Sequence, residues 1–237
     1  MIRNHHYLIC ILFIAINLKF TEPAGSINTQ LFNDEVNLDS LPVNQLINNG
    51  RIWRDIYPAV KEDQFLFTNE FLPGQVTMNG ITFNTPRLRY DIMNDEIMIV
   101  TDKGYILQLN KEMVGSFTLT YQYRIYNFTN SEPDSLSNLS GYFNVLYKGK
   151  SSLYVRYYKE ISKRGPGKNY ENFVQSDRVF IIKDGIFHQV RNNRDFKKIV
   201  SDRKNEIKTW MKGNRIMISR KSPDTYVPVL EYYDNLK

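Results

Sequence analysis

The chain has 237 residues and one cysteine, and its 31 Lys and Arg exceed its 25 Asp and Glu by a net charge of +6. This length suffices for one sizeable domain, and a single thiol excludes an intramolecular disulfide framework, so stability must come from a packed core. Sixteen Tyr and fourteen Phe favour a β-rich core, because aromatic side chains suit pleated, half-buried surfaces.

Residues 1–25 have the pattern of a secretory signal peptide. A short basic start with Arg3 is followed by a twelve-residue apolar run at residues 7–18 and then by a polar stretch ending in small residues. A membrane-spanning helix needs about 20 apolar residues, so this run is too short to span a bilayer. We therefore predict export, with either cleavage between residues 20 and 26 or an uncleaved anchor.

Residues 26–45 are polar and predict a flexible N-terminal arm. A helix is expected over residues 39–57, with Ser40 as its cap and Pro42 in its first turn. We expect residues 46–237 to form a single β-rich domain with a C-terminal helical part at residues 191–237.

Alternating apolar residues with turn signals predict a series of hairpins after residue 74. Asn79-Gly80 is the strongest of these signals, because both residues of a tight hairpin turn must accept positive φ. Further turns are predicted at residues 94–96, 102–104, 148–150 and 183–185, and residues 117–128 predict one long strand or two.

From residue 192 onward the apolar residues recur with helical periodicity. Asn192 or Asn193 can cap this helix, and Gly213 can end it. A short strand is predicted at residues 216–218, and a last helix begins near Thr225. The predicted fold is α+β and β-dominated: an antiparallel meander of roughly 8 to 10 strands, as a curled sheet, half-barrel or barrel, with two C-terminal helices packed on it.

Signal cleavage would limit the chemistry of the mature chain, because it removes Cys10, His5 and His6 and leaves His188 as the one imidazole. A catalytic base needs an orienting partner, and the alternation around His188 predicts a solvent-facing residue on a strand. The sequence contains no nucleophile elbow, phosphate-binding glycine loop or dinucleotide fingerprint. We predict no catalytic residue, no metal ligands and no cofactor.

Carboxylate pairs, as in glycoside hydrolysis, are the remaining enzymatic option. Asp91, Asp95, Glu96 and Asp102 lie around two predicted hairpins, where turns favour Asp for backbone reasons alone. We interpret them as solvated turn acids, and a carbohydrate-active or glycan-binding protein stays open as an alternative.

The charge is divided unevenly: residues 26–140 carry a net −6 and residues 141–237 a net +11. A basic half can meet an anionic surface or complement the acidic half, and export argues against nucleic acid. The residues that would contact an anionic membrane surface are Lys163, Arg164 and Lys168 in a loop and Lys197, Lys198 and Lys204 on a helix. Interspersed acids favour the simpler interpretation, in which the apolar stripe of that helix docks on the sheet.

Two short motifs, Asp39-Ser40-Leu41 and Asp134-Ser135-Leu136, are similar to sites at which Bacteroidota O-glycosylate exported proteins, which makes Ser40 and Ser135 candidate acceptors.

Several aromatic-rich blocks over residues 50–237 resemble a family of uncharacterised exported proteins of Bacteroidota. The blocks are Trp53-Arg54-Asp55-Ile56-Tyr57, Asp63-Gln64-Phe65-Leu66-Phe67, Glu70-Phe71-Leu72-Pro73-Gly74, Tyr90-Asp91-Ile92, Ile106-Leu107-Gln108-Leu109-Asn110-Lys111 and the tail Leu230-Glu231-Tyr232-Tyr233-Asp234. The resemblance implies export but brings no activity to any residue. These blocks fit a structural role equally well, with Trp53 and Phe71 as core anchors.

The preferred functional hypothesis is an exported non-enzymatic protein of the bacterial envelope, periplasmic or at the outer surface, that binds a partner protein or a lipid-like apolar ligand. A curled sheet lined by Tyr and Phe could cradle an acyl chain. The alternatives are the glycan-binding protein and an envelope assembly factor that contacts an anionic surface through the basic half.

Overall fold

The computed structural model describes residues 47–131, 140–162 and 171–236. Several predictions lie outside these residues: the signal peptide, the N-terminal arm, and the site residues Ser40, Ser135, Lys163, Arg164 and Lys168.

Twelve strands and three α-helices form within the described residues. The strands are β1 (Gly50–Ile52), β2 (Val60–Lys61), β3 (Leu72–Met78), β4 (Ile81–Asp91), β5 (Glu96–Val100), β6 (Ile106–Leu109), β7 (Val114–Tyr121), β8 (Arg124–Ser131), β9 (Gly141–Lys148), β10 (Ser152–Ile161), β11 (Glu171–Lys183) and β12 (Ile186–Val190). The helices are α1 (Asn193–Ile199), α2 (Lys204–Gly213) and α3 (Val227–Asn235), with 3₁₀ turns at Ser201–Arg203 and Pro223–Tyr226.

The strands form one sheet in the order β1-β6-β5-β4-β3-β7-β8-β9-β10-β11-β12, and each neighbouring pair is antiparallel. The short β2 pairs in parallel with the start of β11. The predicted β-dominated α+β fold is confirmed, and the sheet is open rather than closed into a barrel.

The predicted hairpins follow from their turn residues. Asn79 and Gly80 have φ values of 49° and 80° between β3 and β4, and Asp184 and Gly185 have 53° and 75° between β11 and β12. Positive φ at both central residues matches the right-handed twist of the flanking strands.

The sheet curls strongly between β6 and β7. Only residues 110–113 join these strands, although β5, β4 and β3 lie between them in the sheet. Strands lie about 4.8 Å apart, so a flat sheet would separate β6 from β7 by about 19 Å. The link is folded, with the Met113 N–H donating to the Asn110 carbonyl at 3.0 Å, and cannot reach that far. Curling therefore brings one end of β6 close to β7.

Two buried clusters stabilise the two parts of this sheet. The first lies on the concave side of β3–β9 and is rich in rings: Phe117 stacks on Phe128 with centroids 4.5 Å apart, and Tyr90 meets Phe117 edge-on at 5.1 Å. The second joins β10, β11 and β12 to the helices, for example through Val155. Tyr157 contacts both clusters, so the two cores share one sheet.

Three sequence predictions are wrong in detail. The expected helix over residues 39–57 does not extend through its described part, where residues 50–52 form β1. Residues 216–218 do not form a strand. The helix predicted from residue 192 to Gly213 is split into α1, a 3₁₀ turn and α2. The split leaves the Ile199 carbonyl free to accept from Lys183 Nζ at 3.0 Å, which ties the helical part to the end of β11.

Candidate functional site

A groove of about 370 Å³ lies between α1 and α2 on the outer side of the helical part. Its floor consists of Phe196, Val200, Ile207 and Met211, and the segment that follows α2 closes one side. We call this feature the helical groove; its remaining lining residues are Asn193, Lys197, Lys204, Lys208, Met217 and Ile218.

Local sequence explains the apolar floor. The Asn192 side chain caps α1 by accepting from the Arg194 N–H at 2.8 Å, and this fixes which residues face the sheet. Phe196 and Val200 are four residues apart, as are Ile207 and Met211, so each pair occupies one face of its helix. The predicted apolar stripe therefore packs into the second buried cluster, which the sheet and α3 share, and leaves a groove between the two helices.

The rim of the helical groove is basic. Lys197, Lys204 and Lys208 are exposed there, and within the described residues none of these ammonium groups forms an ion pair. Three lysines from two helices thus surround one apolar opening.

The acids of the same helical region are bound elsewhere. Asp195 accepts the Arg191 backbone N–H at 2.9 Å, and Glu206 pairs with Arg203 at 3.5 Å. Asp202 accepts from Lys183 Nζ and from the Tyr233 hydroxyl, both at 2.8 Å. Although burial acts against its charged form, these hydrogen bonds hold the pKa of Asp202 below its usual value. Within the described residues, none of these acids therefore forms an ion pair with a lysine of the rim.

The predicted surface contacts are only partly brought together. Lys197 and Lys204 meet at the helical groove, whereas Lys198 lines a separate, shallower depression of about 400 Å³ with His188. His188 is half-buried on β12 opposite Ile181, so it does not face solvent as fully as its alternation predicts.

Three residues of the groove lining, Lys208, Met217 and Ile218, are not among the site residues predicted from the sequence. The position of Lys208 one turn after Lys204 is a usable signal for a shared face. Met217 and Ile218 carried no such signal, because residues 216–218 were interpreted as a strand. In the structure Met217 is 85% exposed.

Asp91 and Asp95, near the β4–β5 turn, are not solvated, which corrects their interpretation, whereas Asp102 in the next turn is exposed as predicted. Asp91 is 1% exposed and accepts the backbone N–H groups of Met93 and Asn94, each at 2.9 Å. Asp95 accepts from the Tyr90 hydroxyl at 2.6 Å and from Lys111 Nζ at 2.5 Å. Both carboxylates are therefore bound inside the fold, and no three His, Cys, Asp or Glu side chains of the described residues form a metal site.

A buried arginine joins three of the aromatic blocks. The Arg89 guanidinium lies 3.8 Å from the ring centroid of Phe65, 4.3 Å from that of Phe71 and 5.3 Å from that of Trp53. It also donates to the backbone and side-chain oxygens of Asn69, both at 2.8 Å. Burial lowers the pKa of Arg89. Through this cation–π cluster, Arg89 on β4 holds the segment that precedes β3 against the sheet.

Aromatic side chains also fill the space where the sequence suggests an acyl-chain cradle. Phe67 stacks on Tyr121 at 4.8 Å and packs against Tyr126 at 4.4 Å, beside the buried rings of the first cluster. The helical groove, by contrast, is an apolar opening that lies on the helices.

Within the three described ranges, no helix has the length and apolar character needed to cross a membrane. No protein-family model, no curated protein and no solved structure matches this chain. The resemblance to exported Bacteroidota proteins therefore stays a prediction.

Proposed function

We propose that this protein is an exported, non-enzymatic binding protein of the bacterial envelope that holds an apolar ligand in the helical groove. The observation that carries the proposal is the groove itself. Its volume of about 370 Å³ lies within the range of roughly 300–1,000 Å³ usual for ligand sites, which are mostly apolar with a few polar groups.

The helical groove also differs from an ordinary gap in packing. Its floor includes Phe196, Val200 and Ile207, which are 1%, 2% and 3% exposed and belong to the second buried cluster. Close packing holds these side chains in place, so a ligand need not order them on binding.

The test is a fluorescence titration with the neutral apolar probe N-phenyl-1-naphthylamine. Met211→Trp places a larger side chain in the helical groove, and Ile125→Trp makes a similar change on the exposed face of β8, where Ile125 is 61% exposed. We expect the wild type and I125W to bind the probe and M211W to bind it at least about tenfold more weakly.

Equal binding by M211W, with an unchanged circular dichroism spectrum, would place the ligand elsewhere. No binding by any of the three proteins would refute the proposed function. Export is tested separately, by N-terminal sequencing of the protein recovered from the periplasm or the medium.

A second candidate, an envelope assembly factor that contacts an anionic membrane, is favoured by the unpaired lysines at the rim. It predicts that vesicles with anionic lipid bind the wild type and release the Lys197→Glu, Lys198→Glu, Lys204→Glu triple variant. Binding unaffected by this charge reversal would exclude it.

A further inference from the structure

The rim and floor of the helical groove together specify a ligand with two chemically different ends. We propose that the ligand is a single-chain fatty acid, whose acyl chain lies on the apolar floor and whose carboxylate contacts Lys204 and Lys208. This inference rests on the proposed function and adds the chemical class of the ligand.

The acids on the helices are separated from the lysines of the groove. Asp202 precedes Lys204 and Glu206 lies between Lys204 and Lys208 in sequence, but Asp202 is bound by Lys183 and Tyr233, and Glu206 by Arg203. Within the described residues, no carboxylate therefore forms an ion pair with Lys204 or Lys208. An anionic group on the ligand would form such a pair beside an apolar surface, where the attraction is screened less than in bulk water.

The cations at the groove are all of one kind. Among the described residues, its lining includes three lysines and no arginine. Arginine presents a fixed fork suited to two-point recognition of phosphate, whereas the lysine ammonium is a mobile point charge. Lys204 and Lys208 lie one helical turn apart, about 6 Å, so both can reach one small anionic group.

The size of the helical groove suits a single chain. A volume of about 370 Å³ is near the lower limit of the usual range for ligand sites. One acyl chain suits such a groove better than the two chains of a membrane phospholipid. Met211 and Met217 add adaptable thioether side chains, which fit chains of different length.

The experiment compares dodecanoate with dodecan-1-ol, which share a chain and differ in the charge of the head group. Displacement of the bound naphthylamine probe gives both affinities, at concentrations below micelle formation. The variant is Lys204→Gln with Lys208→Gln; the matched control is Lys198→Gln with Lys212→Gln, two lysines of the same helices outside the groove lining.

We expect the wild type and the control to prefer dodecanoate by at least about tenfold, which corresponds to roughly 1.4 kcal/mol. The K204Q/K208Q variant should lose this preference while its affinity for dodecan-1-ol stays unchanged.

Two outcomes overturn the inference. If the wild type binds the acid and the alcohol equally, or if K204Q/K208Q keeps the preference, the carboxylate contact is refuted while the proposed function stands. If neither compound displaces a probe that does bind, an acyl chain is not the ligand. Failure of the probe itself to bind refutes the proposed function as well.

Discussion

At the scale of single residues, the buried carboxylate of Asp234 joins the last helix to the sheet. It accepts from the Ser151 backbone N–H at 2.9 Å, the Ser151 hydroxyl at 2.8 Å and the Tyr147 hydroxyl at 3.0 Å. A Cβ atom at Gly149 would lie 2.4 Å from the same carboxylate, so the β9–β10 turn leaves no room for a larger residue there. One side chain of α3 thus holds the turn in place.

We predict that Asp234→Asn lowers the free energy of unfolding by about 2–4 kcal/mol, because charge-assisted hydrogen bonds are lost and an amide N–H₂ faces other donors. Urea denaturation measures the change. Glu231→Gln, on the exposed side of the same helix, is the control and should stay within about 0.5 kcal/mol of the wild type. Equal stability of the two variants would contradict the role of Asp234.

Asp91 gives the stability a defined dependence on pH. Burial raises the pKa of this carboxyl group, against hydrogen bonds from Asn94 and Met93 that favour its charged form. The folded state therefore keeps a proton that the unfolded chain has already lost. The contribution of Asp91 to the free energy of unfolding consequently falls as the pH rises from the unfolded pKa, about 3.9, through the raised folded pKa.

We expect the difference in unfolding free energy between Asp91→Asn and the wild type to shift in favour of the variant as the pH rises from about 3.5 to about 6.5, because the variant lacks this titration. Urea denaturation across the range gives the difference, and ¹³C titration of the Asp91 carboxyl checks the direction of the pKa shift. A difference that does not change with pH would contradict the prediction.

At the scale of elements, the turn between β7 and β8 is built from unfavourable residues. Gln122 and Tyr123 have φ values of 48° and 62°, although neither is Gly, Asn or Asp. The side chain of Tyr123 is fully exposed, so its packing does not offset the free-energy cost of the positive φ. The pairing of β7 with β3 and β8 must therefore hold this turn in its left-handed conformation.

Replacement of Gln122-Tyr123 by Asn-Gly should raise the free energy of unfolding by about 1–2 kcal/mol, since both new residues accept positive φ. The reverse change, Asn79→Gln with Gly80→Tyr, has free space around residue 80 and should lower stability through the backbone alone. The urea midpoints of the two variants, each compared with that of the wild type, measure both changes. Destabilisation by Asn-Gly would show that the Tyr123 side chain contributes contacts to the fold.

The turns also show how far the sequence predicts this fold. Asn79-Gly80 and Asp184-Gly185 mark hairpins because the preference for positive φ is local. Gln122-Tyr123 carries no such signal, so the sequence leaves open whether residues 117–128 form one strand or two. The pairing of Val76 with Phe117 joins strands far apart in the chain and has no local signal. The lysines of the helical groove are visible as a basic helix, but their convergence depends on the break after Ile199.

At the scale of the whole molecule, the two buried clusters are parts of one sheet. β9 and β10 run from the first cluster, at Tyr142, to the second, at Leu153, and Tyr157 belongs to both. The ion pair between Arg124 on β8 and Asp224 before α3 adds a link between the sheet and the helical part. Unfolding of either cluster should therefore expose the other cluster to solvent.

The two tryptophans of the chain allow a test of this coupling. Trp53 packs beside Phe65 near the first cluster, and Trp210 stacks on Tyr232 at the second. In Trp53→Phe and Trp210→Phe the remaining tryptophan reports on one cluster only. We expect its urea midpoint to agree with that of circular dichroism on the same protein to within about 0.2 M, as for two-state unfolding. An earlier fluorescence transition in W53F would show that the helical part unfolds alone.

The open sheet has a consequence for solubility. A sheet that does not close presents backbone donors and acceptors at both edges, which can recruit strands of other molecules and begin aggregation. Within the described residues, β1 offers only three residues at one edge, including Arg51, and β12 offers five at the other. Beside β12, however, residues 173–178 of β11 have no neighbouring strand on that side among the described residues, because β12 pairs only with residues 179–183 and β2 only with residues 171–172. This stretch of β11 therefore gives an incoming strand more hydrogen bonds than either terminal strand, and we expect edge-to-edge association to begin there.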